Sequence, residues 1–191
     1  MANGYIRRTL EPVVLRAARE FPAVVLTGPR QSGKTTLLKH LFGGKRGYVS
    51  LEPPDVRMSA AADPRGFLDR YPPPVIFDEA QYAANLLPYV KERIDTARSK
   101  CGQYIIAGSQ NLLLVERVTE SLAGRAAILK LLPLSRREIE GRPQAGFPWE
   151  SGRAGGSGRR TSSRALWADF LRGGFPELVA HPKRDASMWH A

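Results

Sequence analysis

Residues 28–35 have the spacing of a loop that binds phosphate groups. The stretch reads GPRQSGKT, with glycine at both fixed positions. Glycines let main-chain N–H groups approach phosphate oxygens, and a following helix adds the positive end of its dipole. Lys34 is placed to reach the terminal phosphates, and the Thr35 hydroxyl to ligate Mg²⁺. The predicted nucleotide-binding residues are Gly28, Pro29, Arg30, Gln31, Ser32, Gly33, Lys34, Thr35 and Thr36.

An acidic pair follows the apolar stretch VIFD at 75–78. A strand that ends in Asp78 would place a carboxylate beside the phosphate loop, where it would hold Mg²⁺ through water. Glu79 comes next and is placed to polarise an attacking water. An acidic pair can also simply end a strand in solvent, but here the loop and the pair have interdependent chemistry. Together they predict hydrolysis rather than binding alone, with Lys34 and Glu79 as catalytic residues and Thr35 and Asp78 as metal ligands.

Polar residues also end the stretch IIAGSQN at 105–111. If this strand lies between the phosphate-loop strand and the VIFD strand, its end can sense the γ-phosphate or orient the water. Ser109 and Gln110 are the candidates for this role. The alternative is that these polar residues only begin a helix.

Arg125, in SLAGR, is a further catalytic candidate. An arginine after the sensor strand could read phosphate charge within the chain or across a subunit interface, as arginine fingers do. The alternative is an ordinary surface arginine at a helix end, where the helix dipole favours it.

Short apolar runs alternate with helical periodicity through some 140 residues. The runs at 23–27, 47–52, 75–78, 103–109 and 126–134 predict strands, and the spacing of apolar residues predicts helices over 5–20, 33–42 and 85–98. Asp63 before Pro64 predicts a helix N-cap, and Ser135 with Glu138 a capping box. This alternation predicts an α/β fold: a parallel sheet of about five strands flanked by helices.

Composition narrows the compartment and the partners. The 191 residues carry a formal charge of +11, which fits either polyanionic partners or a solvated basic surface. The single cysteine, Cys101, suits a reducing compartment, and we expect it to be buried. No run of about 18 apolar residues is present, so no membrane span is predicted and the cytoplasm is expected. None of the three asparagines precedes lysine, which argues against a guanine-reading NKxD loop and favours adenine.

The pattern changes after residue 140. Gly, Ser and Arg crowd the stretch 141–165, which predicts a basic linker or exposed loop. Helical spacing returns in ALWADFLRGGFPEL, with Gly173 and Gly174 as terminators. The predicted organisation is a nucleotide-binding domain at 1–140, the linker at 141–165 and a helical region at 166–191.

Five stretches carry a more specific resemblance: TGPRQSGKTTLL, VIFDEAQ, IIAGSQ, SLAGRAAILKLLPLS and FLRGGFPELV. In that order they resemble the prokaryotic AAA-type ATPases, P-loop NTPases whose nucleotide-binding domain precedes a C-terminal domain of unknown function. The resemblance implies an AAA-like sheet, ATP with Mg²⁺, and the roles argued above for Lys34, Thr35, Asp78 and Glu79.

Two features depart from that resemblance. Residues 151–164 look like an insertion, and the chain ends at Ala191, where the family continues into further helices. We therefore expect a truncated, partial helical appendage at the C-terminus. Trp167, Phe175 and Trp189 would then have lost partners and be exposed.

Three functions are compatible with these patterns. The first is an Mg²⁺-dependent ATPase, slow alone, that switches or remodels an unidentified protein partner and could act as an oligomer. The second is a nucleotide-gated module that binds nucleic acid or protein, motivated by the +11 charge and the arginines of 151–164. The third, a small-molecule kinase, shares the phosphate loop, but Asp78 and Glu79 before a polar strand end favour hydrolysis over transfer.

Overall fold

Two compact units make up the described part of the chain. The computed structural model describes residues 4–109, 118, 120–143 and 162–190. One unit consists of residues 10–132, and the other of residues 4–9 with those after 132. Most of the predicted linker 141–165 and Gln110 lie outside the described residues, and the domain boundaries at 140 and 165 stay predictions.

A five-stranded parallel sheet forms the centre of the unit 10–132. Its order is β2-β3-β4-β1-β5, and every neighbouring pair is parallel. The elements are α1 Glu11–Glu20, β1 Ala23–Thr27, α2 Lys34–Phe42, β2 Gly47–Ser50, α3 Pro54–Ala62, α4 Pro64–Arg70, β3 Val75–Asp78, a 3₁₀ segment Ala80–Leu86, α5 Leu87–Thr96, β4 Tyr104–Ala107 and β5 Ala126–Lys130. The predicted α/β fold, with a parallel sheet flanked by helices, is confirmed.

The three central strands are buried along their whole length. β1, β3 and β4 read AVVLT, VIFD and YIIA, and every residue in them is buried. Such continuous apolar runs are typical of parallel strands covered on both faces. β4 lies between β1 and β3, which is the arrangement that a sensor role for the end of β4 requires.

Several element boundaries differ from those predicted. α1 begins at Glu11 rather than at residue 5, with Pro12 in its first turn, where the fixed φ of proline suits a helix start. The helix expected over 85–98 is a 3₁₀ segment followed by α5. Cys101 is exposed, so its predicted burial is wrong: it lies in the surface connection between α5 and β4. The Asp63 cap is confirmed, because its side chain accepts from Gly66 N at 3.0 Å.

Short helices make up the described part of the second unit. They are α6 Arg136–Ile139, α7 Ser163–Arg172, α8 Pro176–Ala180 and α9 Ala186–His190. Phe175 packs on Trp189 with ring centroids 4.7 Å apart, whereas Trp167 on α7 is 67% exposed. The expected exposure therefore holds for Trp167. None of the helices in the described ranges combines the length and the apolar character of a membrane span.

Glu138 is a buried acid that joins Arg8 and Thr9 to the start of α6 within this second unit. The predicted capping box is present: Ser135 Oγ accepts from Glu138 N, and Glu138 Oε2 accepts from Ser135 N at 2.7 Å. Its other oxygen accepts from Thr9 N at 2.7 Å and lies 3.3 Å from Arg8 Nε. Burial by itself would raise the pKa of Glu138, but the two backbone N–H groups and Arg8 together bring it below its usual value.

Replacing Glu138 by glutamine is expected to lower the free energy of unfolding by about 3 kcal/mol, because the buried Arg8 would lose its counter-charge. An amide also has only one acceptor oxygen for the N–H groups that the carboxylate binds. Urea unfolding at pH 7 measures the change. Because the folded pKa is lowered, the wild-type contribution is full above the ordinary pKa of 4.5 and is lost as the pH falls through the folded value.

The exposed Glu140, which pairs with Arg136 and Arg142, provides the matched control. We expect its glutamine variant to unfold close to the wild type, since exposed ion pairs contribute little. Equal effects of the two substitutions would contradict the role given to Glu138.

Candidate nucleotide site

The phosphate loop connects the end of β1 to the start of α2 and depends on two glycines. Gly28 has a φ of 149°, and a Cβ there would lie 2.2 Å from Leu131 O, just beyond β5. Leu131 N donates to Thr27 O at 2.8 Å, which fixes this approach. Gly33 has a φ of 93° at the residue before α2. Both positions exclude other side chains for conformational reasons, and Gly28 also for lack of space.

Lys34 holds the loop closed. Its ammonium donates to Gly28 O at 3.1 Å and to Pro29 O at 2.9 Å, and the residue is 5% exposed. Burial lowers the pKa of Lys34, and the charges of Glu79 and Asp78 partly offset this. A buried cation therefore lies at the N-terminus of α2, in the loop that the sequence predicts to bind phosphate.

Thr35 and Asp78 come together across the gap between α2 and β3. Thr35 Oγ1 donates to Asp78 Oδ2 at 2.6 Å, and Asp78 is 1% exposed. Asp78 Oδ1 accepts from Glu79 N at 3.0 Å. Asp78 Oδ2 also accepts from Tyr48 Oη at 2.9 Å. The two predicted metal ligands therefore form one polar centre, together with a tyrosine that the sequence did not single out.

Glu79 follows β3 in a left-handed conformation, with a φ of 55°. Such a backbone is uncommon for residues other than glycine and is often found at functional sites. The Glu79 carboxylate accepts from the side-chain amide of Gln81, and the oxygen of that amide accepts from Ser109 N at 3.1 Å. Gln81 thereby joins the ends of β3 and β4.

The orientation of the Gln81 amide follows from its partners. Ser109 N can only donate, so the amide oxygen must face it, and the NH₂ group then faces Glu79. An ionised carboxylate can only accept, which agrees with this orientation. Glu79 is thus held by a donor whose position depends on the end of β4.

A family comparison decides what kind of domain carries this geometry. Residues 20–140 match the family model described as "AAA domain", which covers more than half of the chain. The chain belongs to the AAA domain family. The matched residues include the whole phosphate loop, Asp78, Glu79, Gln81, Ser109 and Arg125.

Two mycobacterial proteins and one solved structure are also similar to this chain. The chain is 31% identical over 185 residues to the uncharacterized proteins Rv2008c of Mycobacterium tuberculosis and Mb2031c of Mycobacterium bovis. The matched region is 96% of this chain but 36% of each relative, so the chain spans about a third of their length. The fold is similar to that of the Walker-type ATPase PABY2304 of Pyrococcus abyssi, with a TM-score of 0.55 at 18% identity, over 92% of this chain and 66% of that one.

Arg125 of the AAA domain lies where the strands begin, whereas the phosphate loop lies where they end. Its carbonyl accepts from Ala23 N, at the start of β1, whereas the loop follows the end of β1. A five-residue strand is about 15 Å long, so this distance separates the two ends of β1. The guanidinium binds Asp95 through Nε at 2.6 Å and Nη2 at 3.0 Å. Within the chain, the structure does not bring Arg125 to Lys34 and Asp78.

The remaining predicted loop residues divide by exposure. Ser32 is buried, Pro29 is half-buried, and Arg30, Gln31 and Thr36 are exposed. Gln31 has a φ of 61°, so the tip of the loop also uses the left-handed region. Arg30, Gln31 and Thr36 are therefore the predicted loop residues whose side chains are open to solvent.

Replacing Gln81 by leucine is expected to lower kcat of ATP hydrolysis by about tenfold with little change in KM, because Glu79 loses the donor that positions it. A glutamate at the same position should be worse, since its carboxylate would repel Glu79. Phosphate release at saturating ATP measures both variants. Asn85→Leu, in the same 3₁₀ segment, provides the control, and a Gln81→Leu rate equal to the wild type would contradict this role.

Proposed function

We propose that this AAA domain binds ATP with Mg²⁺ and hydrolyses it, and that the cycle switches or remodels an unidentified protein partner. The observation that carries the proposal is the 2.6 Å contact between Thr35 and Asp78 beside the loop closed by Lys34. We expect the protein to act in the cytoplasm.

The donor set fits Mg²⁺. Thr35 offers a hard oxygen ligand and Asp78 a carboxylate that would hold the ion through water, and magnesium in nucleotide sites typically combines one or two such protein groups with phosphate oxygens and waters. No cluster of three or more His, Cys, Asp or Glu suited to a metal occurs among the described residues, so this pair is the best-supported place. When bound, the ion would neutralise charge on the β- and γ-phosphates.

Hydrolysis needs a group that takes a proton from water. In the proposed reaction the water oxygen attacks the γ-phosphorus, the bond to the ADP oxygen breaks, and the Glu79 carboxylate accepts the water proton. Lys34 would donate to the β- and γ-phosphates instead of Gly28 O and Pro29 O. Ser109, beside Gln81, is the proposed γ-phosphate sensor, a role that the sequence also offers to Gln110.

Arg125 is proposed to act only across a subunit interface, if it acts in catalysis. Its ion pair with Asp95 would have to open for the guanidinium to reach a neighbour's nucleotide. A chain without that contact would bind ATP and turn it over slowly, because an arginine finger is worth roughly 10³ to 10⁵ in rate.

The alternative is a nucleotide-gated binding module with little hydrolysis of its own. The net charge of +11 supports this reading, with nucleic acid as the partner. Affinity for nucleic acid should then fall steeply as salt is raised, because counterions are released from the phosphate backbone.

One experiment separates the two functions. Phosphate release is measured with ATP and with GTP, with and without Mg²⁺, and again with single- and double-stranded DNA added. Mg²⁺-dependent release from ATP supports the ATPase. ATP binding without release, together with salt-sensitive DNA binding that ATP alters, supports the module. A protein that binds no ATP contradicts both.

A further inference from the structure

Tyr48, on the edge strand β2, contacts the carboxylate of Asp78, the proposed metal ligand. It lies on β2, where Tyr48 pairs with Ile76 and Ser50 with Asp78 of β3. From there its hydroxyl reaches Asp78 Oδ2 at 2.9 Å, the same oxygen that accepts from Thr35 at 2.6 Å. Nothing in the phosphate-loop chemistry described above requires this tyrosine.

Three donors from three elements fix the Asp78 carboxylate. Thr35 comes from α2, Tyr48 from β2 and the Glu79 N–H from the residue after β3. A hydroxyl that ligates a cation through its oxygen keeps its proton for a carboxylate, so the Thr35 bond is compatible with metal binding. Tyr48 adds a second donor to the same oxygen, Oδ2.

The Tyr48 ring is itself held in place. Lys39 Nζ, one turn after Thr35 on α2, lies 4.6 Å from the ring centroid. An ionised carboxylate can only accept, so the Tyr48 phenol is the donor in its 2.9 Å contact with Asp78 Oδ2. α2 therefore contacts both donors of Asp78 Oδ2: it carries Thr35, and its Lys39 lies over the Tyr48 ring.

We propose that Tyr48 is a positioning residue that orients Asp78 and thereby sets the affinity of the nucleotide site for Mg²⁺. The inference rests on the proposed function, since it assigns Asp78 to the metal. Its distinguishing consequence is a separation of two affinities. Tyr48 bonds to the carboxylate and not to the loop, so its loss should weaken Mg²⁺ binding far more than binding of metal-free nucleotide.

The test compares Tyr48→Phe with the wild type, using a fluorescent ADP derivative as the probe. Its affinity is measured first in EDTA and then as MgCl₂ is added. Loss of one hydrogen bond to a charged group predicts that the Mg²⁺ concentration for half-maximal effect rises about tenfold, whereas affinity in EDTA changes less than about twofold. Neither readout depends on hydrolysis.

Tyr82→Phe is the matched control. Tyr82 is also 39% exposed and also carries a cation over its ring, Arg57 at 5.5 Å from the centroid. We expect this variant to match the wild type in both titrations. Circular dichroism and thermal unfolding of both variants without nucleotide separate a specific change in the metal site from a general loss of stability.

The outcomes are distinct. A wild type in which Mg²⁺ does not affect ADP binding would overturn the proposed function and this inference with it. A normal Mg²⁺ dependence in Tyr48→Phe would overturn the inference alone, and so would equal losses in EDTA and in Mg²⁺. Tighter Mg²⁺ binding would also overturn it, because the phenol would then compete with the ion rather than orient its ligand.

Discussion

Replacing Glu79 by glutamine is expected to lower ATP hydrolysis by roughly 10²- to 10⁴-fold while ATP affinity changes less than about threefold. The amide has nearly the same shape as the carboxylate but cannot accept a proton from water. It would also face the NH₂ group of Gln81, which now binds the Glu79 carboxylate. Single-turnover phosphate release measures the rate, and equilibrium binding of ATP with Mg²⁺ measures the affinity.

Glu92→Gln is a suitable control for this substitution. Glu92 is an exposed glutamate on α5 that pairs with Arg65 at 2.7 Å and takes no part in the polar centre. We expect its variant to hydrolyse ATP at the wild-type rate. If Glu79→Gln were as active as Glu92→Gln, the base would have to be another group, and the proposed assignment of Glu79 would be wrong.

The second large effect is expected at Lys34. Replacing it by methionine should weaken ATP binding by roughly 30- to 1,000-fold, because the charge-assisted contact proposed between Lys34 and phosphate would be lost. The change also leaves Gly28 O and Pro29 O without the ammonium that now binds them. Titration of the variant with ATP and Mg²⁺, followed by calorimetry, measures the loss.

Lys45→Met, beyond the end of α2, removes an exposed cation with the same net change in charge. We expect its ATP affinity to stay close to the wild type. Equal losses in the two lysine variants would indicate that overall positive charge, rather than the closed loop, attracts the nucleotide.

Much of the fold could be predicted because its signals are local. The buried runs AVVLT, VIFD and YIIA each predict a strand from a few neighbouring residues, and alternation with helices predicts a parallel sheet. In such a sheet the carboxyl ends of the strands meet at one edge. This is why Asp78 could be expected beside the phosphate loop before any contact was known.

Tyr48 and Gln81 could not be predicted in the same way. Tyr48 reaches Asp78 only because β2 pairs with β3 in a register that sets Ser50 opposite Asp78. Gln81 reaches Glu79 only because the chain turns through a left-handed residue after β3. Both contacts depend on tertiary geometry, whereas the sequence shows only that these polar residues are near the motif.

Arg125 illustrates a signal that was available in the sequence. It directly precedes the apolar run of β5, so in a parallel sheet it lies at the amino ends of the strands, away from the phosphate loop. The expectation that it reads phosphate within the chain came from its order along the sequence. Strand direction predicts the position of Arg125 better. Residues that precede parallel strands and residues that follow them lie at opposite ends of the strands.

Because β2 lies at the edge of the sheet, the part of the site that depends on β2 is expected to open more readily than the part built on the central strands. β2 is four residues long and pairs with β3 alone among the described strands, whereas β1, β3 and β4 each have two neighbours. Short edge strands open more readily than central ones. If β2 detached, Asp78 would lose its contact with Tyr48 and keep its contact with Thr35. Brief opening at this edge would then disturb the proposed metal-binding carboxylate without unfolding the phosphate loop.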